Sequence, residues 1–285
     1  MSDGSGGARF VDLHAHSTAS DGSRAPADVM AAARAAGLSA IALTDHDTVA
    51  GIPEAAQAAE ALGIRLVPGI ELSAVEDDTE THLLGLHLAD TTVIESQLGA
   101  LRDMRLGRAR RIVERLNALG VRITLDAVLE QAAGGAVGRP HVARALVGEG
   151  WAVDLRDAFD RYLGNGRPAY VPKDRLSMVD AIGMIHRAGG IAVLAHPAHS
   201  GSRSRLEKLA AVGMDGVEVL HPSHSPDDVA RLRTLAEHLR LVPSGGSDWH
   251  GADDGARVLG AMRVPAEWLA AQDARVAERR AHTAA

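Results

Sequence analysis

The sequence predicts an α/β fold, a parallel sheet covered by helices, with a small helical insertion near its middle. Three observations carry this. Short runs rich in Val, Ile and Leu recur and end in polar residues, as buried parallel strands do. Helical stretches opened by Pro and closed by Gly separate them. The alternation stops between about residues 97 and 168, where the pattern is helical throughout.

The candidate strands cover residues 9–13, 40–44, 64–68, 82–88, 190–195, 216–220 and 241–244. Between them, a helix over 26–36 begins at Pro26 and stops at Gly37, and one over 53–62 stops at Gly63. Helices over 177–188 and 205–212 stop at Gly189 and Gly213, and one over 226–239 runs into the last strand. This β–α alternation suits either a barrel or a doubly wound sheet. The insertion reads as helices over 98–119, 125–132, 140–149 and 155–163, with Gly134–Gly135 and Gly164–Asn165–Gly166 as loops. The expected organisation is therefore a first α/β part at 9–96, the insertion at 97–168, and a second α/β part at 169–285.

Composition narrows the function classes. The chain has 285 residues, a net charge of −7, no Cys and 14 His. Zero Cys excludes disulfides, thiolate zinc sites, iron–sulfur clusters and cysteine nucleophiles. No apolar run reaches the roughly 18 residues of a membrane span. The start, MSDGSGGARF, lacks the pattern of a secretory leader, so a cytoplasmic location is expected. Only Lys173 and Lys208 are lysines, so the heavy Arg use looks like a bias of GC-rich coding. The His content is the feature that calls for chemistry, because His is the obvious metal ligand in a chain without Cys.

The His and carboxylate residues fall where strands end. His14-Ala15-His16 follows the first strand, and side chains at i and i+2 of extended chain point the same way. Asp45-His46-Asp47 follows the second strand, Glu71 the third, His196-Pro197 the fifth and Asp248-Trp249-His250 the last. In β/α barrels the C-terminal strand ends share one face, and that face carries the chemistry. Histidine with carboxylate and no thiol suits Zn, Mn or Fe used catalytically. Two ions bridged by a carboxylate such as Glu71, with a hydroxide between them, are a common device for phosphoester hydrolysis.

The segments VDLHAHSTASDG, ALTDHDT, PGIELS, VLAHPAH and GGSDWH resemble the successive motifs of the PHP (polymerase and histidinol phosphatase) family, in the family's order. The resemblance runs from about Arg9 to Gly251, interrupted by the helical insertion. It implies a distorted (β/α)7 barrel with a trinuclear metal site. Carried over by position, a first ion takes His14, His16, Glu71 and Asp248. A second takes Asp21, His46 and His250, and a third takes Glu71 as a bridge, His82 and His196. Two or three divalent ions (Mn, Fe or Zn) are thus implied. Some family members carry His where this chain has Asp21, which alters the charge of the second site.

Further segments, RLGRARR, GRPHVAR, RYLGNGRPAYVPK and SHSPDD, resemble a stand-alone branch of the family related to the trp-operon-linked protein. That resemblance implies a phosphoesterase acting on 3′,5′-nucleoside bisphosphates, AMP or the 5′ end of short RNA. It implies catalytic roles for Glu71, Asp248, Arg139 and His224, and substrate contacts from Arg139, His141, His199 and His224. Arg105 and Arg108 are added from their spacing on one helix face, with a solvated face as the alternative. Lys173 is a weaker candidate. The proton for the leaving oxygen comes from His224 or from a metal-bound water, which the sequence does not separate. The few aromatic residues and the negative charge disfavour a long nucleic-acid track, so a nucleotide or short oligonucleotide is the expected substrate, with no membrane partner. The oligomeric state is not readable. Histidinol phosphatase activity and a non-catalytic metal-binding module are the competing readings.

His186 and His238 read as surface or packing residues, His282 as part of a polar tail, and His87 as facing away from His82. His221 is left outside the metal set, as a rim residue or a neighbour of the metals.

Overall fold

A computed structural model of the chain describes residues 10–77, 79–132, 137–172 and 176–283. Lys173 and the Gly134–Gly135 loop lie outside the described residues. Contacts divide the chain into two compact units, Met1–Glu95 with Leu176–Ala285, and Ser96–Arg175.

The first unit is a nearly closed barrel of eight strands. In chain order it runs β1 (Phe10–Asp12), α1 (Pro26–Ala35), β2 (Ala40–Leu43), α2 (Ile52–Leu62), β3 (Arg65–Glu76), β4 (Thr79–Leu86) and α3 (Thr91–Ala118), the last continuing into the second unit. After the second unit come α7 (Met178–Arg187), β5 (Ile191–Leu194), α8 (Arg203–Ala211), β6 (Gly216–Leu220), α9 (Pro226–Leu239), β7 (Val242–Gly245), β8 (Val264–Pro265) and α10 (Ala266–Thr283). The strand order is β7-β6-β5-β4-β3-β2-β1-β8. The Leu13 N–H donates to the Gly245 carbonyl at 3.0 Å, which joins the β1 and β7 sides.

The doubly wound alternative is thereby removed, and one expectation is corrected. The third strand does not stop at Pro68. It continues to Glu76 and folds back as β4, antiparallel, with Ser73 opposite His82 and Glu71 opposite Leu84. Glu71 is therefore a mid-strand residue of a hairpin and does not follow a parallel strand, and His82 lies within β4 and does not begin it. The local reason is alternation: Ile70, Leu72 and Ala74 are buried apolar residues, and Glu71, Ser73 and Val75 occupy the other face. β4 also pairs antiparallel with β5, and β8 with β1.

Helix starts follow their sequence signals. Pro occupies the first turn of α1, α2 and α9. Ser177, Ser202 and Ser225 cap α7, α8 and α9 by accepting from a backbone N–H three residues on. The barrel core joins Val11, Leu13, Ala42, Val67, Leu84 and Val193 with Leu269 and Val276 of α10. Each such buried Val or Leu side chain contributes about 1.5–3 kcal/mol.

The second unit is helical: the rest of α3, α4 (Leu125–Ala132), α5 (Arg139–Gly148), α6 (Leu155–Ala158) and a π-turn at Phe159–Leu163. Its core is built on Ile112, Leu116, Val128, Val142, Leu146 and Leu163.

Candidate metal centre

Strand ends deliver most of the candidate ligands, and the β3–β4 hairpin delivers Glu71 and His82. Past β1 the chain stays extended and zips onto the segment after β7, where the His16 N–H donates to the Trp249 carbonyl at 2.8 Å. Past β2, residues 45–47 zip onto β3: Glu71 N–H donates to the Asp45 carbonyl at 3.2 Å and Asp47 N–H to the Glu71 carbonyl at 2.9 Å. His196 and Asp248 have φ of +27° and +51°, left-handed values uncommon for residues with a Cβ. Such strain at ligand positions points to a functional constraint.

Glu71 is the hub. It is 1% exposed. Its Oε2 lies 3.1 Å from His14 Nε2, 3.2 Å from His16 Nε2 and 3.4 Å from His46 Nδ1. Its Oε1 lies 2.8 Å from His82 Nδ1 and 3.0 Å from His196 Nε2. Asp248 Oδ1 sits 3.2 Å from His16 Nε2 and 3.5 Å from His14 Nε2. Asp21, with its side chain 57% exposed, stands 3.3 Å from His250 Nε2 and 3.9 Å from His46 Nε2. All nine sequence-predicted metal residues are thus brought together in the first unit.

The residues fit divalent cations. His14, His16, Glu71 and Asp248 present ligand atoms within 4.8 Å of one another; so do His16, Asp21, His46 and His250, and so do His46, Glu71 and His82. Both ring nitrogens of His16, and Nδ1 of His82, are buried without a hydrogen bond, although carboxylate oxygens lie close. Orphaned nitrogens aimed at carboxylates are what a ligand cage presents when its bonds are to an ion. Burial opposes the charge on Glu71, but His14, His16 and His196 outweigh it and hold the carboxyl well below its usual range. For His14 burial likewise disfavours charge, and Glu71 and Glu218 reverse this, raising it well above an ordinary imidazole.

Surrounding groups hold the ligands. Asp45 accepts from Ser17 N–H at 2.7 Å, Ser17 Oγ at 2.8 Å and Ser20 Oγ at 2.7 Å, which shapes the loop carrying Asp21. Asp12, fully buried, accepts from the N–H of Ser247 at 2.9 Å and of Gly260 at 3.0 Å. Trp249 turns away into packing, 4% exposed.

Two neighbours, Glu218 and Arg257, were missed from sequence, and His221, read there as a rim residue or a neighbour of the metals, proves to be a neighbour. Glu218, in the middle of β6, is fully buried against His14. His221 is 2% exposed and its Nε2 stands 3.4 Å from Asp248 Oδ2. Arg257 pairs with the same oxygen. A charged residue inside the apolar run Val217–Leu220, and a His directly after it, were the available signals for Glu218 and His221. Arg257 had none, being nine residues past Asp248 in irregular chain.

Two expected substrate contacts are corrected. His224 Nδ1 donates to the Val219 carbonyl at 2.9 Å, and Nε2 accepts the Ala198 N–H at 3.1 Å. Both nitrogens are taken by backbone, and burial lowers the imidazole's pKa, so it holds no proton for a leaving group. Arg108 is 6% exposed and directs Nε and Nη2 at the Val171 carbonyl, at 2.9 and 2.8 Å, tying α3 to the end of its own unit.

The other expected contacts lie as follows. Arg105 is half-buried on α3. Arg139 opens α5, donates to the Leu163 carbonyl at 3.2 Å and lies over the Tyr170 ring at 5.4 Å. His141 accepts the Gly138 N–H on Nδ1 at 2.9 Å. His199 is exposed in a 3₁₀ turn, Ala198–Ser200. Among the bland histidines, His186 bonds Asp215 at 2.8 Å and His87 bonds Gln272 at 3.2 Å.

With this geometry in place, similarity to known proteins is decisive. The PHP domain family model matches residues 12–113. A 3′,5′-nucleoside bisphosphate phosphatase of Chromobacterium violaceum is 38% identical over 88% of this chain and 90% of its own. The chain belongs to the PHP family. A 5′-3′ exoribonuclease of Salmonella typhimurium is 38% identical over 85% of each chain. Among solved structures, a Bifidobacterium adolescentis protein assigned as a metal-dependent phosphoesterase matches with a TM-score of 0.67 and 34% identity, over 94% of this PHP chain and 97% of its own. Among the described residues no helix is long and apolar enough to cross a membrane.

Proposed function

We propose that this PHP protein hydrolyses phosphate esters of nucleotides: a 3′,5′-nucleoside bisphosphate or AMP, with short 5′-phosphorylated RNA as a further substrate. The observation that carries the reading is the six-imidazole, three-carboxylate cage centred on Glu71, with buried nitrogens left unbonded. The similarity to a bisphosphate phosphatase and an exoribonuclease supports the substrate class.

The cage would hold two or three ions of Mn, Fe or Zn: His14, His16, Glu71 and Asp248 at one position, Asp21, His46 and His250 at a second, and Glu71, His82 and His196 at a third. Bound there, such ions supply Lewis acidity to the phosphate oxygens and to the attacking water. The chain's own residues set the rest. Glu71, buried and kept ionised, draws the imidazoles inward from four different strands or strand ends. Asp248 turns Oδ1 toward His14 and His16, while its Oδ2 faces His221 and Arg257. Arg105, Arg139, His141 and His199 keep the substrate-binding roles expected of them. Arg139 is pre-oriented by Leu163 and Tyr170, so little side-chain freedom is lost when its remaining donors take an anion. With His224 occupied, the leaving oxygen takes its proton from water.

The test is release of phosphate or nucleotide, with Mn²⁺ present, from adenosine 3′,5′-bisphosphate, AMP and a 5′-phosphorylated RNA trimer, beside histidinol phosphate. Turnover of nucleotides well above histidinol phosphate is expected. Turnover of histidinol phosphate alone, or of nothing by a metal-loaded protein, would overturn the reading.

A further inference from the structure

Strand β6 buries a carboxylate for which the ligand set above has no use. Glu218 is fully enclosed, and its two oxygens serve different ligands. Oε1 faces Nδ1 of His14 at 3.1 Å. Oε2 accepts the backbone N–H of His196 at 2.7 Å. One side chain therefore holds the ring of a ligand that follows β1 and the main chain of a ligand that follows β5.

Each contact constrains what the ligand can offer. A neutral imidazole has one N–H and one lone pair. In the neutral form that a cation requires, with Nδ1–H given to Glu218, the lone pair of His14 falls on Nε2, the nitrogen turned to Glu71 and Asp248. At His196 the constraint is on backbone. His196 and Ala198 both have positive φ, +27° and +43°. This left-handed turn is pinned at three points, from β6, from α9 and from the turn between them. Glu218 holds the His196 N–H, His224 accepts the Ala198 N–H, and Arg231 Nη2 donates to the Ala198 carbonyl at 2.7 Å. The first of these is the one next to the ligand ring.

By distance alone, His14, Glu218 and His221 could also hold an ion of their own. Hydrogen bonding argues otherwise. The Ser223 N–H donates to His221 Nδ1 at 3.1 Å, which leaves the proton on Nε2 and no lone pair for a cation there. His14 likewise spends Nδ1 on Glu218.

We propose that Glu218 is a positioning residue and not an ion ligand: it fixes the Nδ1–H tautomer of His14, which leaves Nε2 for the ion, and the left-handed backbone of His196, and so sets the affinity of the centre for divalent cations. The proposal rests on the metal reading of the preceding section.

The test is titration of the metal-stripped full-length protein with Mn²⁺ and Zn²⁺ against a fluorescent chelator, with thermal melting of the metal-free forms alongside. Glu218→Gln keeps the volume but has one oxygen for two N–H donors. It should bind cations about 10–100-fold more weakly at unchanged saturating stoichiometry. Asp215→Asn serves as the control for a merely structural role. Asp215 is a buried carboxylate immediately before β6, bonded to His186 and to the Ala192 N–H. It should lower the melting temperature and leave cation affinity as in the wild type. Should E218Q not fold, Glu218→Asp keeps both acceptors on a shorter arm and should also weaken binding without changing stoichiometry. Wild-type affinity in the folded Glu218 variants overturns the proposal. So does loss of one whole equivalent with the others unchanged, which would make Glu218 a ligand. A wild type that takes up no divalent ion overturns the metal reading itself, and this proposal with it.

Discussion

Gly246 tests whether the metal centre depends on backbone contact between two strand ends. A Cβ built at this position would lie 2.5 Å from both the Cβ and the backbone nitrogen of His14, and 2.8 Å from Oδ1 of Asp12. Non-bonded carbons rest at about 3.5–4.0 Å, so Gly246→Ala must push the two chain segments apart by about 1 Å. None of the three atoms can yield alone: His14 and Asp12 are fully buried, and Asp12 is bonded to Ser247 and Gly260. Overpacking of this kind costs about 1–3 kcal/mol. For a unit of roughly 200 residues that lowers the melting temperature by about 2–12 °C. The chemical cost is larger in proportion. Ligand distances tolerate about 0.2 Å, and a 1 Å misplacement costs about 10²-fold in rate. Melting followed by circular dichroism, cation titration and kcat/KM on a nucleotide substrate measure the three effects. A G246A protein with wild-type stability and wild-type cation affinity would refute the reasoning, because the two strand ends would then have room to spare.

Two further expectations follow from particular side chains. Asp21→Ala should remove one cation equivalent while changing stability by no more than about 0.5 kcal/mol, since Asp21 is a surface side chain facing His46 and His250; metal analysis after dialysis that finds the full complement would contradict its ligand role. At the start of α9, hydrogen bonds from Ser225 and then Arg231 lower Asp228 to about 2. A carboxyl lowered on folding stabilises the fold above its unfolded value, near 3.9, and ceases to do so as pH falls through the folded one. The melting difference between metal-free wild type and Asp228→Asn should therefore be constant above about pH 5 and shrink toward pH 2; a difference that grows on acidification would reverse the sign of the argument.

Much of the barrel was legible because its code is local. The apolar runs at 40–44, 190–195 and 216–220 reappear as β2, β5 and β6, and the Pro and Gly boundaries of α1 and α2 stand. The hairpin was not legible, because a twelve-residue β3 reads as a short strand until its antiparallel partner is known. The period-two pattern of Ile70, Leu72 and Ala74 was present, yet only pairing with β4 makes it a continuous strand. The same holds for His82, which enters the centre across a strand pair and not at a strand end.

His224 shows the limit most directly. The resemblance of SHSPDD to a branch of the family implied substrate chemistry for it. Its role depended on whether backbone groups took its two nitrogens, and that is a matter of where β6 meets the turn after β5. Residue types at strand ends were enough to point to divalent cations, because histidine and carboxylate without thiol admit few alternatives and a barrel gathers such ends on one face. Only the tertiary structure decided which groups support the ligands: Glu218 on His14 and His196, His221 and Arg257 on Asp248, Asp45 on the Asp21 loop. Those contacts join residues up to 204 positions apart, and no local pattern encodes a hydrogen bond whose two ends meet only when the barrel closes.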